Sequence, residues 1–249
     1  MKIDKERVKK SFSDSAKHYD RHADLQHEVM SKLFGRVSVQ PKWVLDVGSG
    51  TGTLVGLLAE KYPEADVVGL DIAIGMLEVA LAKNYKNNVR FLQGDGEALP
   101  FDSGQFDLVV SSLALQWMDP EKVFIEAARV LKPGGSFYFS TFGPKTLAEL
   151  KQAGLSVNDF PAENELKRVL SHQFAGVELK AELLTRNYKD IFELFHYLKE
   201  IGAQNPWDVG RKGLTSRRKL AKMFVPENKG LDVSYEVYFG SCLVKEAVI

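Results

Sequence analysis

The ten residues Val44-Leu-Asp-Val-Gly-Ser-Gly-Thr-Gly-Thr53 place the strongest constraint on what this chain can fold into. A short apolar run ends in an acid and three alternate glycines, and a helical pattern follows at once. Glycine tolerates a positive φ and lets the backbone approach a ligand without a Cβ in the way. The N-terminus of the next helix points at the same place. Such a turn belongs at the carboxyl end of a strand in an open parallel sheet, where ligands bind.

The surrounding pattern agrees. Apolar strand-like runs at 43–47, 66–70, 89–93, 106–111 and 136–142 alternate with helical patterns at 54–61, 74–83 and 120–131. Pro133-Gly-Gly135 is a helix stop. Continuous apolar strands alternating with helices predict an α/β fold, with a mostly parallel sheet covered on both faces. Residues 4–37 read as helical throughout. Residues 145–230 read as mostly helical, with a strand over about 175–188. In the tail 232–243, Val233, Tyr235, Val237 and Phe239 fall on one side of a strand. Three segments result: an N-terminal helical lid (1–40), a nucleotide-type core (41–144), and a helical subdomain with closing strands (145–249). The chain's 249 residues, 45% of them hydrophobic, suffice for such a core.

The strand ends carry the chemistry. Gly48, Gly50 and Gly52 form G-x-G-x-G, which misses the dinucleotide spacing G-x-G-x-x-G by one. Asp46 would repel a pyrophosphate, but it suits a ligand with a sulfonium and an amino group, namely S-adenosylmethionine. Asp71, closing the second strand, can accept both ribose hydroxyls. Ile72 follows it, and Met76 can cover an adenine face, although ordinary helix packing explains a methionine there equally well. Asp95, with Gly96 after the third strand, can accept from the adenine amino group. Ser111 and Leu113 end the fourth strand beside the reactive methyl. Phe12, Ala16, Tyr19, Ala23 and Gln26 recur at 4-3-4-3 spacing, one helical face. Tyr19 and Gln26 are polar groups on that packed face and need partners. A lid over the cofactor cleft would supply them and exclude water.

The balance of 33 basic and 33 acidic residues argues against general nucleic-acid binding. One cysteine, Cys242, permits neither an internal disulfide nor a cysteine zinc site. The five histidines show no ligand or triad spacing, so no metal is expected. With no signal-like or membrane-length apolar run, a soluble cytoplasmic protein is expected.

Residues 43–142, including the Leu131-Lys-Pro-Gly-Gly135 turn, resemble the class I S-adenosylmethionine methyltransferases. That resemblance implies their Rossmann-like, seven-stranded sheet with a helical insert before the last strands. The N-terminal pattern, Gln116-Trp117, Ser140-Thr-Phe-Gly-Pro-Lys-Thr-Leu-Ala-Glu-Leu150, Lys199-Glu-Ile-Gly-Ala-Gln-Asn205, Arg211-Lys-Gly-Leu-Thr215 and Tyr235-Glu-Val-Tyr-Phe-Gly240 resemble the malonyl-acyl-carrier-protein O-methyltransferases of biotin synthesis. The resemblance implies methylation of the free carboxylate of a malonyl thioester, on carrier protein or coenzyme A, with S-adenosylhomocysteine as the other product. A charged carboxylate is costly to bury in an apolar elongation pocket, and esterification removes that charge. The carboxylate is already ionised at pH 7, so no general base is needed. The remaining work is alignment and exclusion of water. Tyr19 and Gln116 are the candidates for shaping that site, and Trp117 for lining it. Lys145 is the first candidate to orient the malonyl carboxylate, and Arg186 the second. The basic stretch from Arg211 and Lys212 to Lys222 is either a solvated face or a dock for acidic acyl carrier protein. Methylation of another small acceptor, such as a quinone precursor, and a non-catalytic nucleoside-binding scaffold are the alternatives.

Overall fold

The structure is a computed structural model that describes residues 3–203 and 230–245. Seven strands form one sheet in the order β3-β2-β1-β4-β5-β7-β6. These are β1 (Trp43–Val47), β2 (Asp66–Asp71), β3 (Val89–Gln93), β4 (Phe106–Ser112), β5 (Leu131–Phe142), β6 (Phe174–Tyr188) and β7 (Leu231–Val244). The first five pair in parallel, and β7 runs antiparallel between β5 and β6. Strand order reverses between β1 and β4, so the crevice for a ligand opens at their carboxyl ends.

Burial on both faces explains the continuous apolar strands. Leu45, Val47 and Val109 face a core built with Phe106, Phe124, Phe137 and Phe139. Val44, Leu108 and Val110 face the other way, against Met30, Leu54 and Leu58. Helices α3 (Thr53–Lys61), α4 (Ile74–Leu81) and α5 (Pro120–Val130) connect the parallel strands. Asp119 caps α5 by accepting from the Glu121 N–H, with Pro120 at the first helical position. β5 begins directly after α5. The Pro-Gly-Gly stop therefore lies inside the strand's span, as an irregularity where the register jumps between Phe106↔Leu131 and Leu108↔Ser136.

The N-terminal segment departs from one continuous helix. It forms α1 (Lys5–His22) and α2 (Asp24–Arg36), broken at Ala23, whose ψ of 35 leaves the helical region. Ala23 is fully buried at the corner, and Ala16 is buried beside it in the stripe. The apolar stripe thus survives the break, and the two helices follow different parts of the site. Among the described residues after β5, α6 (Ala148–Gln152), α7 (Glu163–Gln173) and α8 (Ile191–Glu200) are helical. Among the described residues no helix is long and apolar enough to cross a membrane.

Candidate active site

Two cavities meet over the carboxyl ends of β1 and β4. The larger, about 710 Å³, is walled by Gly48, Gly50, Asp71, Asp95 and Gly96 from the strand ends, and roofed by α1. Ile72, Met76 and Leu113 also line it. The second, about 600 Å³, lies between α1, α2, α8 and β7 and is lined by Gln26, Gln116, Thr146, Tyr197 and Tyr235. Phe12, Tyr19, Leu113 and Trp117 belong to both walls. Phe12 and Trp117 meet edge to face, with centroids 5.4 Å apart.

The glycine turn is shaped by backbone geometry. Gly48, Gly50 and Gly52 all have positive φ, at 77°, 53° and 79°. A Cβ on Gly48 would lie 2.3 Å from the Ala114 Cβ. Gly52 does not line either cavity. It packs under Phe91 and Tyr85, and the Tyr85 hydroxyl donates to the Gly52 carbonyl at 2.9 Å. Tyr85 thus braces the turn from behind, a role with no sequence signal.

Asp46 is buried and Asp71 half-buried at the turn, and the two differ in their partners. Asp71 accepts from Gly50 N–H and Ala73 N–H, each at 2.8 Å. Burial raises its pKa, and these backbone donors offset part of the rise. Asp46 is 1% exposed, and its Oδ1 has no hydrogen-bond partner among the described residues. Burial, and then the charge of Asp71, push its carboxyl up to about 8. A buried carboxylate in this state is costly unless a cation joins it. The turn therefore favours a ligand that brings positive charge beside Asp46.

Ser111 is fully buried, and its hydroxyl donates to the Val47 carbonyl at 2.8 Å, tying β4 to β1. Its neighbour Ser112, on the opposite strand face, lines the larger cavity instead. Leu113 follows with a positive φ of 47°, held by N–H donation to Ser140 O and Oγ, both at 3.1 Å. Leu147 also has a positive φ, 56°, and lines the second cavity, with its N–H on the Ser234 carbonyl at 2.7 Å. Non-glycine residues in this conformation are strained by roughly 1–2 kcal/mol each. Both strained leucines shape the same cavity.

Gln26, expected at the cofactor, lines the second cavity and also a recess walled by Asp46, Gly48 and Gly50 of the glycine turn. Tyr197 of α8 donates to its Oε1 at 3.1 Å. Burial holds the Tyr19 and Tyr197 phenols well above the ordinary tyrosine range, so both stay protonated donors. Gln116 Nε2 donates to the Leu113 carbonyl at 2.6 Å, while its buried Oε1 has no partner among the described residues.

The structure does not bring the two candidate cations to this lining. Lys145 is 73% exposed, and its Nζ lies 3.3 Å from Glu236 Oε1. Glu236 also accepts the Lys145 N–H at 3.0 Å, so the pair pins the loop after β5 to β7. Arg186 is held by Glu28 of α2 and by the Thr185 carbonyl. Arg211, Lys212 and the rest of the basic stretch lie outside the described residues. Tyr197 and Asn158 were not singled out from the sequence, because no local motif marks them, and Thr146 and Tyr235 entered only as members of stretches that resemble the family, with no site role given to them.

Comparison with known proteins agrees with this geometry. Residues 45–139 match the family model described as a methyltransferase domain. The fold is that of the Bacillus subtilis YcgJ protein, with a TM-score of 0.65 at 22% identity over 89% of this chain and 100% of that one. It is also that of Haemonchus contortus phosphoethanolamine N-methyltransferase 2 in complex with S-adenosyl-L-methionine, with a TM-score of 0.60 at 17% identity over 94% of this chain and 57% of that one. The malonyl-acyl-carrier-protein O-methyltransferase of Nitrosospira multiformis is 36% identical over 96% of this chain and 88% of its own length. On that similarity over almost its whole length, the chain belongs to the family of malonyl-acyl-carrier-protein O-methyltransferases.

Proposed function

We propose that this chain transfers the methyl group of S-adenosylmethionine to the free carboxylate of a malonyl thioester, on the route to biotin. The meeting of two cavities at Phe12, Tyr19, Leu113 and Trp117 carries this reading. One cavity is polar at its strand ends and suits a nucleoside. The other is walled mainly by aromatic and aliphatic side chains, with a few hydrogen-bonding groups.

The residues present fit S-adenosylmethionine. Asp46 Oδ1 has no partner among the described residues and would take a cation, which a sulfonium or an ammonium group provides. Asp71 is already fixed by two backbone donors, so its remaining lone pairs are aimed for ribose hydroxyls. Asp95 and Gly96 would hold the adenine amino edge, with Ile72 and Met76 on its faces. When bound, the cofactor supplies an electrophilic methyl group on a positively charged sulfur.

The chain's own part is alignment. An ionised carboxylate needs no base. Tyr197 holds Gln26 Oε1, which leaves Gln26 Nε2 as the donor toward an acceptor carboxylate. Tyr19 adds a phenol where the two cavities join. Gln116 offers an unpaired carbonyl oxygen, matched to an amide N–H of a carrier arm. Trp117 against Phe12 keeps water from the junction. A pocket of neutral donors holds the carboxylate without the strong pairing that would blunt its attack. The Arg211–Lys222 stretch is the proposed dock for acidic carrier protein, giving an affinity that falls with salt.

The test is mass spectrometry of malonyl carrier protein after incubation with the chain and S-adenosylmethionine. A gain of one methyl on the carboxyl supports the reading. Methylation of a quinone precursor in preference to malonyl carrier protein would overturn it.

A further inference from the structure

Helix α1 is fastened over the larger cavity at three places. Near its C-terminal end Asp20 accepts from Thr51 Oγ1 at 2.6 Å and from Lys83 Nζ at 3.0 Å. At mid-length it presses on Gly75 of α4, where a Cβ would lie 2.6 Å from the Ser13 carbonyl oxygen. At its first residue Lys5 Nζ lies 2.5 Å from Asp95 Oδ2 and 2.7 Å from Glu97 Oε2.

The third fastening differs from the others because it touches a ligand-facing group. Lys5 lines the cavity beside Asp95 and Gly96. The two acids are otherwise held by backbone: Asp95 Oδ1 accepts from Glu97 N–H, and Glu97 Oε1 from Asp119 N–H, each at 2.9 Å. Lys122 reaches only Glu97, at 3.5 Å, and is far more exposed than Lys5. Two carboxylates at one cavity edge repel each other unless a cation bridges them. The bridging cation comes from the lid rather than from the sheet.

We propose that Lys5 is a positioning residue of the cofactor site. Its ammonium holds the Asp95–Glu97 pair ready for an adenine amino group and couples closure of the N-terminal end of α1 to occupancy. This rests on reading the larger cavity as the S-adenosylmethionine site. Release of product then requires the α1 end to lift from the acid pair, which makes retention of the nucleoside sensitive to ionic strength.

Calorimetry of S-adenosylhomocysteine binding to the full chain tests this without an acceptor. Lys5→Met is expected to weaken binding about tenfold, the scale of a lost charge-assisted hydrogen bond. Lys5→Arg should stay within about threefold of the parent. The parent's affinity should fall with added salt more steeply than that of Lys5→Met. In an Asp95→Asn, Glu97→Gln background the Lys5→Met effect should shrink below about twofold. Amide hydrogen exchange in the ligand-bound state should rise in the first turns of α1 in Lys5→Met, but not near Asp20. Binding by Lys5→Met within twofold of the parent, or an undiminished effect in the doubly substituted background, overturns the role of Lys5 alone. A parent chain that fails to bind S-adenosylhomocysteine overturns the cofactor reading as well.

Discussion

The two cavities are neighbours, yet they are built by different rules. The larger takes its polar wall from consecutive strand ends, where each residue is set by a turn a few positions long. The second draws on α2, the loop after β5, α8 and β7, so Gln26, Thr146, Tyr197 and Tyr235 come together from across the chain. The first is fixed by local backbone geometry, while the second depends on tertiary packing. A substitution in one should therefore leave binding in the other intact, and four measurements can break or sharpen that separation.

The largest effect is expected at the glycine turn. Gly48→Ala adds a Cβ against Ala114 in a left-handed backbone. Cofactor affinity should fall at least about 100-fold, matching a strain near 3 kcal/mol. Retained affinity would mean that the turn has slack the geometry does not show.

Next comes the pH response. Asp46 titrates near 8 in the folded chain, above its ordinary value of 3.8. Below pH 8 the carboxyl is protonated without ligand, and a ligand that places its ammonium there must displace that proton. Affinity for S-adenosylhomocysteine should rise with pH between 6 and 8, by at most about tenfold per unit, and level off above. Asp46→Asn should bind more weakly and lose this slope. The linkage to stability has the opposite sense. The folded state holds the proton more tightly than the unfolded one, so ligand-free stability should decline as pH rises from about 4 to 8.

Tyr197→Phe probes the second cavity alone. It frees the Gln26 carboxamide, and the acceptor KM should rise about five- to tenfold, the scale of one hydrogen bond. S-adenosylhomocysteine affinity should stay within twofold, and a larger change would join the two cavities energetically. The smallest effect belongs to Lys145→Met. With its ammonium against Glu236 on an exposed loop, the change should alter KM and kcat by less than about twofold.

The same contrast explains what could be read before the structure. Gly48, Gly50, Asp46, Asp71 and Asp95 were legible because period-2 strands and helical connections place every strand end in a parallel sheet. One-residue parity is harder. Ser111 and Ser112 are chemically alike, and only the strand's facing decides that the first ties β4 to β1 while the second meets the cavity. The break at Ala23 was hidden because the apolar stripe continues through it. Gln26 was legible as a group needing a partner, but its partner Tyr197 sits 171 residues away, beyond any local pattern. Lys145 looked available because its counter-ion, Glu236, is 91 residues away in sequence.

The place of β7 in the sheet has a consequence for the order of events during synthesis. β6 emerges from the ribosome before β7, yet in the finished sheet β7 lies between β6 and β5. Until β7 arrives, β6 has no native strand neighbour, and Phe137–Phe142 of β5 wait with one open edge. About 120 residues separate Met118, the last described residue in chain order to line the larger cavity, from Tyr235 of the second. At roughly 5–20 residues per second, that is an interval of about 6–24 s. A nascent chain in that interval can already gather the cofactor half. The acceptor half is decided only when β7 inserts, so a nonsense change just before Leu231 would remove methyl transfer while sparing much of the nucleoside site.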